Sequence, residues 1–356
     1  MRRIIEFMKL EIRILAFLVC ATLASAACHK TIDPAESNNP VGFRAMSQAT
    51  WVDPAPATKA GSLATDDFGV WGIARHDQIS SAYDLWGSTA LTRASKNTVT
   101  QQYEPATAAY WLAGYKYTFL AIAPYTNSGV SNLTITPKTN QSAKDAISFT
   151  FNMANKYTGT GADYDFDLLG AAAQTDPISG GHNASQDLTF WHLLSQIKIK
   201  VNFSGNNAAG SPISGELTGI RLLNVDVVAS YQITAEGGAT LGVSSTPVAA
   251  ANPVTVQLGP VTATETNPFI LHVVPQDISD MQLYLDFKID GVQYNDFKVN
   301  LNVQTEANPN GTNPKDYRYN ESYGWSITIG PKEDISFKVS VNPWESQNIG
   351  NEIDII

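Results

Sequence analysis

Cysteine is almost missing: the 356-residue chain has two, Cys20 and Cys28. Two thiols are too few for a disulfide framework or for a zinc site built on thiolates. Charge is also sparse, at 16% of residues, and acidic side chains outnumber basic ones 33 to 23, for a formal charge of −10. That sign argues against nucleic acid as a partner and against attachment to anionic lipid through a basic patch. No apolar run reaches the roughly 20 residues of a membrane-spanning helix. The five histidines, at 29, 76, 182, 192 and 272, form no HExxH pair, and there is no GxSxG elbow, phosphate loop or Gly-rich dinucleotide turn. Almost nothing has the 3.6-residue period of a long amphipathic helix. These absences point away from an enzyme and from any cofactor, although a glycosidase needs only two carboxylates.

What is present begins at the N-terminus. Arg2, Arg3, Lys9 and Arg13 precede the apolar stretch Ile14–Val19, and small residues follow as far as Ala27. A basic start, a short apolar stretch and small residues describe a secretory signal peptide over 1–27. Met8 is an alternative start. Ser25-Ala26-Ala27-Cys28 resembles a lipobox, in which Cys28 is lipidated and becomes the first residue of the mature chain. Ser25 stands where an aliphatic residue is usual, and Leu23 lies two positions earlier. Ordinary cleavage nearby, leaving Cys28 a free thiol, is the competing reading. Cys20 leaves with the peptide, and so does a net two positive charges, so the mature chain is the more acidic.

Residues 28–40 have no periodicity and read as a tether. Beyond them lie short stretches with two-residue alternation, bounded by Gly, Pro, Asn and Asp. "VGFRAMS" (41–47) alternates Val41, Phe43 and Ala45. "DFGVWGIAR" (67–75) points Phe68, Val70 and Ile73 inward, and in 115–122 Tyr115, Tyr117, Phe119 and Ala121 alternate with Lys116, Thr118, Leu120 and Ile122. "YDLWGSTALTR" (83–93), "TVTQQYEP" (98–105) and "DLTFWHLLSQIKIKVNF" (187–203) read as further strands. Asp290-Gly291 between two alternating runs signals a hairpin. About fifteen such strands imply an all-β fold of antiparallel sandwiches, too many for one. The loop at 174–186 divides the chain into expected domains at 41–180 and 181–356.

Asp163, Asp165 and Asp167 form the cluster with the most metal-like spacing. An oxygen-rich loop can bind calcium, but Leu168 takes the place of the glycine that an EF-hand turn requires. A solvated strand edge, guarded by charge, is the simpler reading. His192, between Phe190-Trp191 and Leu193-Leu194, reads as a hydrogen-bonded structural histidine. The seven tryptophans are spread along the chain and suit a core better than a glycan-stacking platform.

Taken in order, several stretches resemble the fimbrillin-like family of Bacteroidetes, the lipoproteins that build type V pili. They are Cys28, "VGFRA", "TKAGSLATDDFGVWGIA", "YEPATAAYWLAGYKYTFLAIAPY", "DFDLLGAAA", "LTFWHLLSQIKIKV" and "GWSITIG…ISFKVSVNPW". The most specific is the pattern of Phe190, His192, Leu194, Ser195, Ile197 and Ile199. The resemblance implies two tandem transthyretin-like β-sandwich domains and a structural subunit of a surface pilus at the outer membrane. It further implies a lipid anchor through Cys28, a trypsin-like protease that removes the first strand, and a donor strand from another subunit that replaces it. The implied partners are other pilus subunits, identical or accessory. Lys59–Ala60, in a Pro/Gly-rich loop, is the favoured cut and Arg44–Ala45 the second choice. The candidate donor strand is the tail with Ile349, Ile353 and Ile355, which also suits a last edge strand of its own domain. The alternative function is a surface lipoprotein or tip adhesin that binds glycan or host protein without polymerising.

Overall fold

A computed structural model of the chain describes residues 39–47, 61–62, 67–87, 89–125, 129–139, 143–157, 163–179, 182–237, 240–247, 254–258, 269–278, 280–299, 316–331 and 335–343. Within these, the first strands are β1 (Phe43–Ser47), β2 (Gly61–Ser62), β3 (Asp67–His76), β4 (Ile79–Asp84), β5 (Thr92–Lys96) and β6 (Tyr103–Pro105). Next come β7 (Tyr115–Ala123), β8 (Val130–Thr136), β9 (Ala146–Asn152), β10 (Leu169–Gln174), β11 (Gln186–His192) and β12 (Ser195–Phe203). Then follow β13 (Gly215–Val225), β14 (Val228–Gly237), β15 (Thr240–Pro247), β16 (Val254–Leu258), β17 (Phe269–Val273) and β18 (Gln276–Asp277). The last are β19 (Gln282–Ile289), β20 (Val292–Val299), β21 (Asp316–Tyr317), β22 (Glu321–Ile329) and β23 (Ile335–Pro343). The fold is all-β, with a 3-10 turn at Ala154–Lys156.

Seven strands close on themselves in the order β11-β10-β7-β3-β5-β6-β1, because β1 also pairs with β11. β4 extends from β3, and β2 adds to the free part of β1. The remaining large sheets have four strands each: β17-β12-β22-β23, β16-β13-β19-β20 and β15-β14-β9-β8. Sheet membership crosses residue 180 in both directions. β11 joins the barrel of earlier strands, while β8 and β9 join β14 and β15.

Two hydrophobic cores result, and the barrel wall divides them. On β3, Phe68, Val70 and Ala74 face the barrel interior, and Trp71 and Ile73 face the second core. On β7, Tyr115, Tyr117, Phe119, Ala121 and Ala123 face the first and Leu120 and Ile122 the second. Alternate residues of a strand point to opposite faces, so a strand between two cores must be apolar on both. That explains why every residue from Asp67 to Ala74 is buried. The second core continues through Ile197 and Ile199 of β12, Leu283, Leu285 and Phe287 of β19 and Trp325, Ile327 and Ile329 of β22.

The wall is tied across by an ion pair between half-buried Arg75 and buried Asp145. Arg75, near the end of β3, donates Nη1 to Asp145 Oδ2 at 2.8 Å and Nη2 to Oδ1 at 2.6 Å. Asp145, one residue before β9, has no exposed side-chain surface, and it also accepts from the Lys138 amide at 2.9 Å.

Four sequence expectations change, the first being 83–93, which is not one strand but the end of β4, a connection and the start of β5. Two of the sheets are mixed rather than purely antiparallel: β1–β11 and β12–β22 pair in parallel. Their partners lie more than 120 residues apart in sequence, and alternation within a strand carries no information on its neighbour's direction. The 98–105 stretch is mostly turn. Asn97 Oδ1 accepts from the amides of Val99 and Thr100 at 2.9 and 3.2 Å, and the chain reverses before β6. The 187–203 stretch is two strands, broken at Leu193-Leu194, where the chain leaves the barrel for the second core. The hairpin at Asp290-Gly291 forms as read, with φ of +48° and +83°, the left-handed pair of a type I′ turn.

Candidate functional site: the first strand in its slot

The alternation of Val41, Phe43 and Ala45 decides how β1 lies. Val41 and Phe43 are buried and Ala45 is partly so, while Arg44 points outward. Phe43 is enclosed by aromatic rings. Its centroid lies 5.1 Å from Phe119 and 5.9 Å from Phe68, both edge-on, and 6.4 Å from Trp86. Edge-to-face contacts of this kind add to the area that burial removes from water.

The two flanks of β1 differ. On one side it runs parallel to β11 through five register pairs, from Phe43 opposite Gln186 to Ser47 opposite Phe190. On the other side the contact is divided. Phe43 meets Tyr103 of β6, and Met46 and Ser47 meet Ser62 and Gly61 of β2. Just before β1, the Val41 amide donates to Ala109 O at 2.8 Å and the Trp111 amide to Asn39 O at 3.1 Å. β1 is therefore the strand that turns an open sheet into a closed one, by a short ladder and one aromatic anchor.

Arg44 makes the most polar contact of the slot. Its Nε donates to Asp187 Oδ1 at 2.6 Å and its Nη2 to Oδ2 at 2.9 Å, a bidentate pair across the β1–β11 register. The pair is exposed, with 61% of the Arg44 side chain and 46% of the Asp187 side chain reaching solvent. The hydrogen bond to Asp187 raises the Arg44 pKa. Beside Asp187, an open recess formed by the β10–β11 connection carries Asp176, Ser179, His182 and Ser185.

Of the sequence-derived site residues, Arg44 and Ala45 lie on β1, and their peptide bond is within a paired strand. Cys28, Lys59, Ala60, Ile349, Ile353 and Ile355 lie outside the described residues. Asp163, Asp165 and Asp167 lie around His272. Asp163 lies 3.9 Å from Lys156, and burial, with a hydrogen bond to the Asp165 carboxylate, raises its pKa. Asp167 lies 2.7 Å from His192 Nδ1. Among the described residues no group of three or more His, Cys, Asp or Glu is arranged to hold a metal ion.

His192 is buried beside Asp167, close to a polar cluster that sequence did not signal. His272 Nδ1 donates to Phe166 O at 3.0 Å, and the Gln196 amide donates to His272 Nε2 at 3.1 Å. Ser322 Oγ donates to Gln196 Oε1 at 2.9 Å. Burial lowers the His272 pKa, so the ring is neutral, as both contacts require. This cluster joins the 163–168 loop to β12, β17 and β22. Asp187, the partner of Arg44, was also unmarked in sequence, since the two residues are 143 positions apart.

A family model described as fimbrillin-like matches residues 57–344. Solved structures share the fold. One is a fimbrial protein from Bacteroides vulgatus, 16% identical, covering 86% of this chain and 100% of its own, with a TM-score of 0.55. Another, assigned to cell adhesion, from Bacteroides uniformis, is 16% identical and covers 86% and 98%, with a TM-score of 0.50. The tip fimbrial protein Mfa3 from Porphyromonas gingivalis, with a C-terminal truncation, covers 78% and 94% at 11% identity and a TM-score of 0.41. No curated protein matches the chain in sequence.

Proposed function

Since the chain belongs to the fimbrillin-like family, we propose that it is a structural subunit of a cell-surface fimbria, assembled by exchange of its first strand. The chain is exported as a lipoprotein anchored at the outer membrane through Cys28. Its two halves are tandem transthyretin-like sandwiches. A trypsin-like protease cuts after Lys59 or, as second choice, Arg44, and β1 is lost. The slot then presents unpaired backbone groups on β11 and an apolar pocket, which an extended segment from another subunit fills by β-augmentation. The tail with Ile349, Ile353 and Ile355 is the candidate donor to a neighbour.

One observation carries this reading: β1 is a short strand whose aromatic anchor, Phe43, is fully buried and whose removal opens the barrel between β11 and β6. While paired, Arg44–Ala45 is shielded from a protease, which needs an extended, unpaired backbone. Limited trypsin treatment of the purified full chain tests it. The expected result is discrete trimming in the 44–60 region followed by SDS-resistant oligomers. Trimmed chain that stays monomeric favours the non-polymerising adhesin, and absence of discrete trimming removes strand loss as the trigger.

A further inference from the structure

We propose that the slot vacated by β1 selects its incoming strand by charge, taking a segment with a basic residue directly after its large apolar anchor, so that its donor is a different subunit rather than a second copy of this chain. The inference rests on the strand-exchange reading above. Three features of the slot carry it. The Phe43 pocket accepts one large apolar side chain, walled by Phe68, Phe119 and Trp86. The next residue of any strand seated in that register and direction points outward against Asp187, where Arg44 now makes a bidentate pair. Asp176 lies in the same recess as Asp187, so loss of Arg44 leaves an acidic rim without its counterion.

This chain's own tail is mismatched to that rim. Residues 346–356 hold no lysine or arginine. Laid along the slot in the direction of β1, Ile349, Ile353 and Ile355 would bring Gly350, Asp354 or Ile356 opposite Asp187. Laid in the reverse direction they would bring Asn348, Glu352 or Asp354. Half of these placements set a carboxylate against a carboxylate, and none supplies a cation. Like charges directly opposite one another on neighbouring strands are destabilising, and opposite charges are stabilising. The apolar spacing of the tail suits a slot of this type, while its charge suits a partner's slot that lacks an acid at the position of Asp187.

The test uses the full chain, trimmed with trypsin, which is then quenched, and offered fluorescent peptides. The peptides are residues 39–49, the same peptide with Arg44→Glu, and the tail 344–356. Uptake of the Arg44 peptide is expected to exceed that of the Arg44→Glu peptide by about tenfold at low salt, with the gap narrowing as salt rises. Asp187→Lys is expected to reverse the order, and the milder Asp187→Asn to level it. Replacing Glu352 and Asp354 of the tail peptide by lysine is expected to raise its uptake by wild-type chain. Equal uptake of the Arg44 and Arg44→Glu peptides overturns charge selection and leaves strand exchange standing. Failure to release β1, or uptake of no peptide, overturns strand exchange and this inference with it.

Discussion

Among the described residues two strand pairs are parallel, and they differ in almost every respect. β1–β11 has five register pairs, an exposed ion pair and the Phe43 anchor. β12–β22 has eight, from Gln196 opposite Ser322 to Phe203 opposite Ile329, and its apolar faces are buried deep in the second core. β22 is also held on its far side by nine pairs with β23, whereas the far side of β1 is shared between two short strands. The same backbone chemistry thus serves a short joint with a divided flank and a long one backed by a full-length strand. What separates them is length and the number of anchoring side chains.

Truncating an anchor in each pair breaks the comparison most directly. Trp325→Ala on β22 should cost about 4 kcal/mol, as loss of a buried large aromatic does, and urea denaturation should show it as a lower midpoint for the whole molecule. Asp145→Ala should cost about 3 kcal/mol, because it strands Arg75 and the Lys138 amide across the barrel wall. Calorimetry should show a lower Tm. Phe43→Ala removes a side chain of similar burial, but its effect should be local. β1 should be released while the rest stays folded, so trypsin should cut at Arg44 many times faster with little change in the urea midpoint. An equal loss of global stability from Trp325→Ala and Phe43→Ala would erase the distinction.

A pH series sharpens it further. His272 has its pKa lowered by burial, so the unfolded chain binds a proton at a higher pH than the folded one. Stability from this group is complete above the ordinary histidine value of about 6.5 and declines as pH falls below it, by at most about 1.4 kcal/mol per pH unit. The loss should fall on the second core, with urea midpoints dropping between pH 7.5 and 5.5 and β1 retained. His272→Gln should flatten that slope. The smallest effect belongs to Val99→Thr. Val99 is 89% exposed in the turn after β5, and replacement should shift the midpoint by less than about 0.5 kcal/mol.

Legibility from sequence followed the range of the interactions. The inward alternation of Val41, Phe43 and Ala45, the two-faced pattern of 115–122 and the left-handed Asp290-Gly291 turn are local, and each appears as read. Thr98-Val99-Thr100 has strong β propensity, yet the Asn97 side chain bonds the next amides and makes a turn; a hydrogen bond overrode propensity. That Trp71 and Ile73 serve a different core from Phe68 and Val70 was hidden, because an apolar run has no period to show which side faces what. In the slot, Phe43 and Arg44 were visible as an alternating pair. Asp187 was not, because register between distant strands is written in no local pattern.

The barrel wall has one more consequence, which concerns time. The ribosome completes residues 67–123 long before residues 195–329 exist. Until the second half arrives, Trp71, Ile73, Leu120 and Ile122 meet only the part of the second core that residues 135–172 supply on that face of β3 and β7. A finished N-terminal half would display them as a broad oily surface, open to any neighbouring chain. The order of synthesis thus imposes a waiting period on this molecule, and the wall shared by its two cores has one face incompletely covered while it lasts.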